Sequence, residues 1–145
     1  MKNILFTLAL LVSFNSFGQD DVKQGQVVEY YENGNIKSTS YYVDGKEQGI
    51  RIVYYKSGAV KSKFNFVDGL RQGESIGYYE NGEVKSKVNY VDDIQQGEDI
   101  FYFTNGAIQL KYNLVDGKQT GEWIDYNRSG EISIKNYKDG VLIKE

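Results

Sequence analysis

Glycine recurs in this 145-residue chain at intervals of 24 residues, and this period constrains the fold more than any other feature. One series contains Gly25, Gly49, Gly73, Gly97 and Gly121, and a second contains Gly34, Gly58, Gly82, Gly106 and Gly130. A third contains Gly45, Gly69, Asp93, Gly117 and Gly140, of which the last comes one residue early. Such a period indicates tandem structural repeats, which we place at residues 25–48, 49–72, 73–96, 97–120 and 121–145.

The segments between the glycines have the pattern of β-strands. In each repeat an aliphatic residue is followed two positions later by tyrosine: Val28/Tyr30, Ile52/Tyr54, Ile76/Tyr78, Ile100/Tyr102 and Ile124/Tyr126. A period of two with β-branched and aromatic residues is typical of half-buried strands. A second alternating segment follows in each repeat, as in residues 108–114. We therefore predict an all-β fold: an elongated single-layer antiparallel meander of five tandem β-hairpins, with ten strands.

The second glycine series marks the hairpin turns, as in Glu32-Asn33-Gly34. A two-residue loop would pair Tyr30 with Lys37 and mix apolar with charged positions. A three-residue loop with glycine in the left-handed conformation shifts the pairing by one residue. The Ile/Tyr positions then share one apolar face with Ile36, Val60, Val84, Ile108 and Ile132. We therefore predict type I turns followed by a glycine bulge.

This unit resembles the MORN repeat, in the bacterial variant found in YwqK-type antitoxin-like proteins. The motif Asp-Gly-Lys-x-x-Gly occurs at residues 44–49 and 116–121, and residues 121–126 are the best copy of the strand that follows. The resemblance implies an interaction scaffold whose partner is a toxin-like or envelope protein. The departures from it are Asp93 at a turn glycine, Asn127 at the second aromatic position and the shortened last repeat.

The first 18 residues have the pattern of an export signal. Lys2 precedes an apolar stretch at residues 4–12 that is too short to span a bilayer, and Ser16-Phe17-Gly18 offers small residues before a cleavage point. We predict cleavage before Gln19, a linker at residues 19–24 and a periplasmic or secreted repeat domain. A buried N-terminal strand or helix is the alternative.

Composition argues against catalysis and against binding of nucleic acid. The chain contains no histidine, cysteine or proline, which removes imidazole and thiolate chemistry and disulfide bonds. The net charge of −3 is unfavourable for contact with DNA, RNA or anionic lipid. A single-layer sheet also offers few enclosed cavities. We therefore predict a non-enzymatic binding protein that uses no cofactor.

A row of aromatic and lysine side chains is the main candidate binding face. It comprises Tyr31, Tyr55, Tyr79 and Phe103, flanked by Lys37, Lys61, Lys63, Lys85, Lys87 and Lys111 and by Asn65, Asn89 and Asn113. Such ladders suit sugar rings or the edge of a partner protein, and a peripheral membrane surface is a further possibility. Cross-strand packing that stiffens the sheet is the structural alternative. Unpaired sheet edges also allow homo-oligomers, with Val141-Leu142-Ile143 either capping the last hairpin or seeding such pairing.

Acidic residues and a single tryptophan are the remaining candidate features of the sequence. The aspartates Asp44, Asp68, Asp92, Asp116 and Asp139 fit a turn role, because Asp-Gly favours turns. An acidic cluster, Asp92, Asp93, Glu98 and Asp99, has oxygen ligands for a hard cation but no calcium-loop pattern, so we predict no metal site. Trp123, the only tryptophan, is either structural or an exposed interface anchor.

Overall fold

The computed structural model describes residues 22–144, which form one open antiparallel sheet. The predicted signal segment, residues 1–18, and its cleavage point before Gln19 lie outside the described residues. In chain order the strands are β1 (Gly25–Tyr30), β2 (Ile36–Val43), β3 (Lys46–Glu47), β4 (Gly49–Tyr54), β5 (Val60–Val67), β6 (Leu70–Arg71), β7 (Gly73–Tyr78), β8 (Val84–Val91), β9 (Ile94–Gln95), β10 (Gly97–Tyr102), β11 (Ile108–Val115), β12 (Lys118–Gln119), β13 (Gly121–Tyr126), β14 (Ile132–Lys138) and β15 (Val141–Lys144).

The sheet is a meander in which strand order follows the chain, β1-β2-β4-β5-β7-β8-β10-β11-β13-β14-β15. The short strands β3, β6, β9 and β12 each pair only with the strand before them. Residues 22–144 contain no helix, and therefore none long and apolar enough to cross a membrane. The predicted all-β meander of tandem hairpins is confirmed. The count of ten strands is wrong, because an additional short strand forms after each of the turns that begin at Asp44, Asp68, Asp92, Asp116 and Asp139.

The hairpin turns have the predicted three-residue geometry. The Tyr31 N–H donates to the Asn35 carbonyl at 2.8 Å, and the Gly34 N–H donates to the Tyr31 carbonyl at 2.9 Å. Gly34 has φ +85°, which is the left-handed region where glycine avoids the steric cost of a side chain. The same two bonds recur in the other four hairpins. Type I turns followed by a glycine bulge are therefore confirmed.

A second bulge interrupts the returning strand of each of the first four hairpins. In the second hairpin Tyr54 pairs with Val60 but Val53 pairs with Ser62, so Lys61 is an extra residue with no direct partner. The equivalent extra residues are Lys37, Lys85 and Gln109. The fifth hairpin pairs without any shift. The early position of Gly140 therefore reflects the loss of this one bulge residue.

The bulge decides which residues share a face of the sheet. Because side chains alternate along a strand, the extra residue places Lys63 opposite Ile52, on the side that also carries Tyr54. We call this side, with Val28, Ile52, Ile76, Ile100 and Ile124, the isoleucine face. Lys87 and Lys111 lie on it in the same way. The prediction that these three lysines flank the tyrosine row is wrong, since the bulge residue shifts them to the other side of the sheet.

The opposite side is the better buried of the two. We call it the aromatic face, and it carries Tyr42, Phe64, Phe66, Tyr90, Tyr112, Trp123 and Tyr137. Leu114, which lies on this side and is 5% exposed, is the one buried apolar residue of the described chain. Ser75 and Asp99 are also buried there. The isoleucine and tyrosine positions do share their face with Ile36, Val60, Val84, Ile108 and Ile132, as predicted. The expectation that this face is the apolar one is corrected, because the bulge adds lysines to it.

Candidate functional site

The tyrosines of the predicted row occupy the first position of their hairpin turns and connect neighbouring hairpins. The phenol of Tyr31 donates to the carbonyl of Tyr54 at 2.7 Å, Tyr55 to Tyr78 at 2.7 Å, and Tyr79 to Tyr102 at 2.6 Å. We call each of these bonds a rung. All three phenols are half-buried. Their hydroxyl groups are therefore engaged within the sheet, and only their ring surfaces remain for other contacts.

Phe103 has the same place in the fourth hairpin but carries no hydroxyl. The carbonyl of Tyr126, which a fourth rung would reach, accepts no side-chain hydrogen bond from residues 22–144. The Arg128 guanidinium carbon lies 5.7 Å from the centre of the Phe103 ring. A cavity of about 700 Å³ opens here between the turns of the fourth and fifth hairpins. This junction therefore differs from the other three.

The bulge lysines and the tyrosines do come together, as the sequence predicted for them. Lys61 Nζ lies 5.7 Å from the centre of the Tyr55 ring, and Lys85 Nζ lies 5.7 Å from that of Tyr79. These distances allow cation–π attraction. Lys37 instead lies 3.8 Å from a carboxylate oxygen of Glu29. Two lysine–tyrosine pairs of the predicted row, both near the turns, are thus in contact.

The remaining lysines of the predicted row have separate surroundings on the isoleucine face. Lys63 Nζ lies 5.7 Å from the centre of the Tyr78 ring, and Lys87 Nζ lies 4.0 Å from a Glu74 oxygen. Lys111 is paired across the sheet with Ile100. These positions alternate with glutamates, so the isoleucine face is not a continuous basic surface.

Two of the three asparagines of the row make hydrogen bonds within their repeat, and the third does not. The amides of Asn65 and Asn89 donate to the carbonyls of Gln72 and Gln96 at 3.3 Å and 3.2 Å. Both bonds close the chain segment between a short strand and the next long strand. Asn113 makes no such side-chain bond among the described residues. Two of the three amides therefore hold the repeat together.

Trp123 lies on the aromatic face within a stack of rings. Its ring centre is 4.4 Å from that of Tyr112 with an interplanar angle of 3°, and 6.2 Å from that of Tyr137. Phe101 extends the stack on the other side of Tyr112, at 5.9 Å. The tryptophan is half-buried. This packing connects the last two hairpins and supplies the structural role that the sequence left open.

The predicted acidic cluster is divided by the sheet. Asp92 and Asp93 form a turn, where Asp93 accepts a 2.6 Å hydrogen bond from Arg71 Nε. Glu98 and Asp99 are neighbours in β10 and therefore point to opposite faces. Within residues 22–144 no three acidic side chains are grouped so that they could hold a metal ion.

The five aspartates of the Asp-Gly column have the turn role that the sequence indicated. Asp44 has φ 48° and is followed by Gly45 with φ 76°, so both central residues of the turn are left-handed. That geometry belongs to the two-residue hairpin turn of type I′. Asp68, Asp92, Asp116 and Asp139 have φ between 49° and 52°. Asp93, with φ 67°, is the one second-position residue here that is not glycine.

Asp99 is a buried carboxyl that sequence reasoning did not single out on its own. It is 0% exposed, and it accepts a 3.2 Å hydrogen bond from the Asn89 N–H. Burial raises the pKa of Asp99, and hydrogen bonds from Asn89 and Tyr112 oppose that rise. Burial and the nearby Asp99 charge raise the pKa of Tyr112 to about 12. The 24-residue spacing is the signal that could have identified this carboxyl, because Asp99 has the same position in its repeat as Ser75 and Trp123, on the aromatic face.

Comparison with known proteins bears on the repeats. The MORN repeat variant model matches residues 23–44, 47–68 and 71–92, each stretch ending at the first aspartate of the turn that precedes a short strand. No curated protein matches the chain. A crystal structure of a GtfA/B complex bound to UDP and GlcNAc is similar at 14% identity and a TM-score of 0.30, over 73% of this chain and 21% of that one. Three stretches within residues 23–92 therefore match the MORN repeat variant.

Proposed function

We propose that this protein is a non-enzymatic repeat scaffold that binds a partner protein by strand addition at the outer edge of β15. The observation that supports it most is a main-chain acceptor on this strand that no group in residues 22–144 uses. In each of the first four repeats the carbonyl at the end of the short strand accepts a bond from the following turn, as Gln119 does from the Gly140 N–H at 2.9 Å. The equivalent carbonyl in β15 is that of Leu142, and no later turn exists within residues 22–144 to donate to it.

The side chains of β15 favour the same use. Val141, Leu142 and Ile143 are 64%, 41% and 63% exposed, although their strand is paired with β14 on its inner side. An unpaired edge with exposed aliphatic side chains is the surface to which an extended segment adds, with main-chain bonds for affinity and alternate side chains for specificity. The strand thus caps the last hairpin and presents a new edge.

The N-terminal sequence and the family resemblance refine this proposal. An export signal before Gln19 would place the scaffold outside the cytoplasm, with an envelope protein as partner. Toxin neutralisation, the antitoxin-like role that the resemblance implies, would need a partner in the same compartment. Glycan or membrane binding by the aromatic and lysine row is less well supported, because three of its four rings donate their hydroxyl groups to rungs.

Two matched substitutions in the full-length chain test the edge. Ile143→Asp charges β15, while Ile50→Asp charges an isoleucine-face position with the same 63% exposure. We expect cross-linked partner recovered from the producing cells to fall at least tenfold for Ile143→Asp and to be unchanged for Ile50→Asp. Equal recovery from both variants would contradict the proposal. A dimer of the purified protein that only Ile143→Asp dissociates would also contradict it, since the edge would then bind a second copy.

A further inference from the structure

The fourth junction lacks one hydroxyl that the other three junctions contain. At the first three, a turn tyrosine donates to the carbonyl of the next hairpin at 2.6–2.7 Å. At the fourth, the Phe103 ring takes the place of that tyrosine, and the Tyr126 carbonyl accepts no side-chain bond from the described residues. A carbonyl at the wall of a cavity is a ready acceptor for a ligand hydroxyl.

The turn charges at this junction also differ from those of the others. The second turn position is Glu32, Lys56, Glu80, Thr104 and Arg128 in successive hairpins. Each of the first three junctions therefore includes a glutamate at this position, whereas the fourth combines threonine with arginine. Arg128 makes no ion pair within residues 22–144. Glu131, the acidic residue of the same turn, accepts a 2.6 Å hydrogen bond from the Asn127 amide.

Apolar walls complete the junction. Phe103 and Ile108 line the cavity together with Tyr126, and the Arg128 guanidinium carbon lies over one face of the Phe103 ring, 5.7 Å from its centre. A volume of about 700 Å³ is ample for a single six-membered ring with its substituents. A ring packs against Phe103, while a guanidinium pairs a carboxylate through two parallel hydrogen bonds. The Tyr126 carbonyl, the Arg128 guanidinium and the apolar wall together suit one kind of ligand.

We propose that this junction binds a small ring-shaped hydroxy acid. The ligand ring lies against Phe103, its hydroxyl donates to the Tyr126 carbonyl, and its carboxylate pairs with Arg128. Both a sugar acid and an aromatic hydroxy acid have this chemistry. The site is independent of strand addition at β15, which is on another part of the sheet.

Four probes separate the chemical groups that the site recognises. Glucuronate and 4-hydroxyphenylacetate carry the carboxylate and the hydroxyl, whereas glucose lacks the first and phenylacetate lacks the second. Each is titrated into the full ¹⁵N-labelled chain while the amide signals of Ala107 and Tyr126 are followed by NMR. We expect at least one hydroxy acid to bind tenfold more tightly than its matched control. The stronger acid identifies the source, and binding of neither acid at 20 mM would overturn the proposal.

Three substitutions test the assigned contacts. Phe103→Tyr supplies the missing hydroxyl from the protein itself. We expect this variant to bind the acid at least tenfold less tightly while the fold is retained. Arg128→Gln is expected to abolish the preference for an acid over its neutral control. Tyr79→Phe removes a rung beside Glu80 and is expected to create no new site. Unchanged affinity of the Phe103→Tyr variant for the acid would refute the proposed contacts. Binding of the acid at the third junction of the Tyr79→Phe variant, as tight as at the fourth junction, would refute them as well.

Discussion

The rungs make a quantitative prediction about how neighbouring hairpins stabilise one another. Each joins a half-buried phenol to a carbonyl 23 residues further along the chain, at 2.6–2.7 Å. A hydrogen bond of this kind contributes a net ~0.5–1.5 kcal/mol to folding. Removing the hydroxyl in Tyr55→Phe should therefore lower the free energy of unfolding by about 1 kcal/mol. Adding it in Phe103→Tyr should raise that free energy by about the same amount.

The two changes act at junctions separated by more than one hairpin, so their effects should add. Successive hairpins are two strand spacings apart, about 9.6 Å, and sites at such distances behave independently to within ~0.5 kcal/mol. The double variant should consequently return to the stability of the unmodified protein. Urea denaturation followed by circular dichroism measures all three variants. For a domain of this size each single change corresponds to a shift of roughly 4 °C in melting temperature.

Tyr41→Phe provides the matched control for these measurements. Tyr41 is 51% exposed and its hydroxyl makes no hydrogen bond within the described residues, so its removal should leave stability unchanged. If Tyr55→Phe is no more destabilising than Tyr41→Phe, the rungs do not couple the hairpins. A destabilised Phe103→Tyr would show that the fourth junction cannot accept the hydroxyl, and the argument from the three equivalent junctions would be refuted.

Three further predictions concern the aromatic face and the turns. Burial raises the pKa of Asp99, so its contribution to stability is complete below the unfolded pKa and is lost as pH rises through the folded pKa. Asp99→Asn should accordingly be more stable than the unmodified protein at pH 7, by a margin that shrinks toward pH 3 in urea titrations. Trp123→Ala removes the stack with Tyr112 and should cost about 3 kcal/mol, measured by circular dichroism during denaturation. Asp93→Gly relieves a left-handed aspartate but loses the Arg71 contact, so it should raise the melting temperature only in an Arg71→Ala background.

The sequence predicts the hairpins and their turns because a turn position with a positive φ favours glycine, and these glycines are visible in the sequence. Gly34 and its equivalents mark each hairpin turn, and Asp44-Gly45 marks the type of turn that reverses the chain into a short strand. These positions depend on local conformation alone. The meander then follows, since short connections join antiparallel neighbours.

The arrangement of the faces could not be predicted in the same way. A bulge residue has no characteristic side chain, and Lys61 looks like any exposed lysine of an alternating strand. Its effect passes to Lys63 and every later residue of that strand, which changes side. The one trace of the bulge in the sequence is the shortened spacing before Gly140. This spacing shows that the last repeat lacks a residue, but not which residue it lacks.

The candidate site was predicted in composition but not in its contacts. The spacing of Tyr31, Tyr55 and Tyr79 identifies a column near the surface, yet it does not tell which main-chain atom a phenol reaches. From the sequence alone, Phe103 is one more aromatic ring in the column of tyrosines. The importance of its missing hydroxyl emerges only when the equivalent carbonyls are compared in three dimensions.

The rungs have a consequence for how proteins of this type change in length. Because every rung joins equivalent atoms at one fixed sequence offset, duplication of a 24-residue unit reproduces the same connection on both sides of the insert. The array can lengthen or shorten by whole units while its two terminal strands keep their chemistry. Gene duplication can thereby adjust the length of the sheet without a change in the sequence of the repeats on either side of the insert.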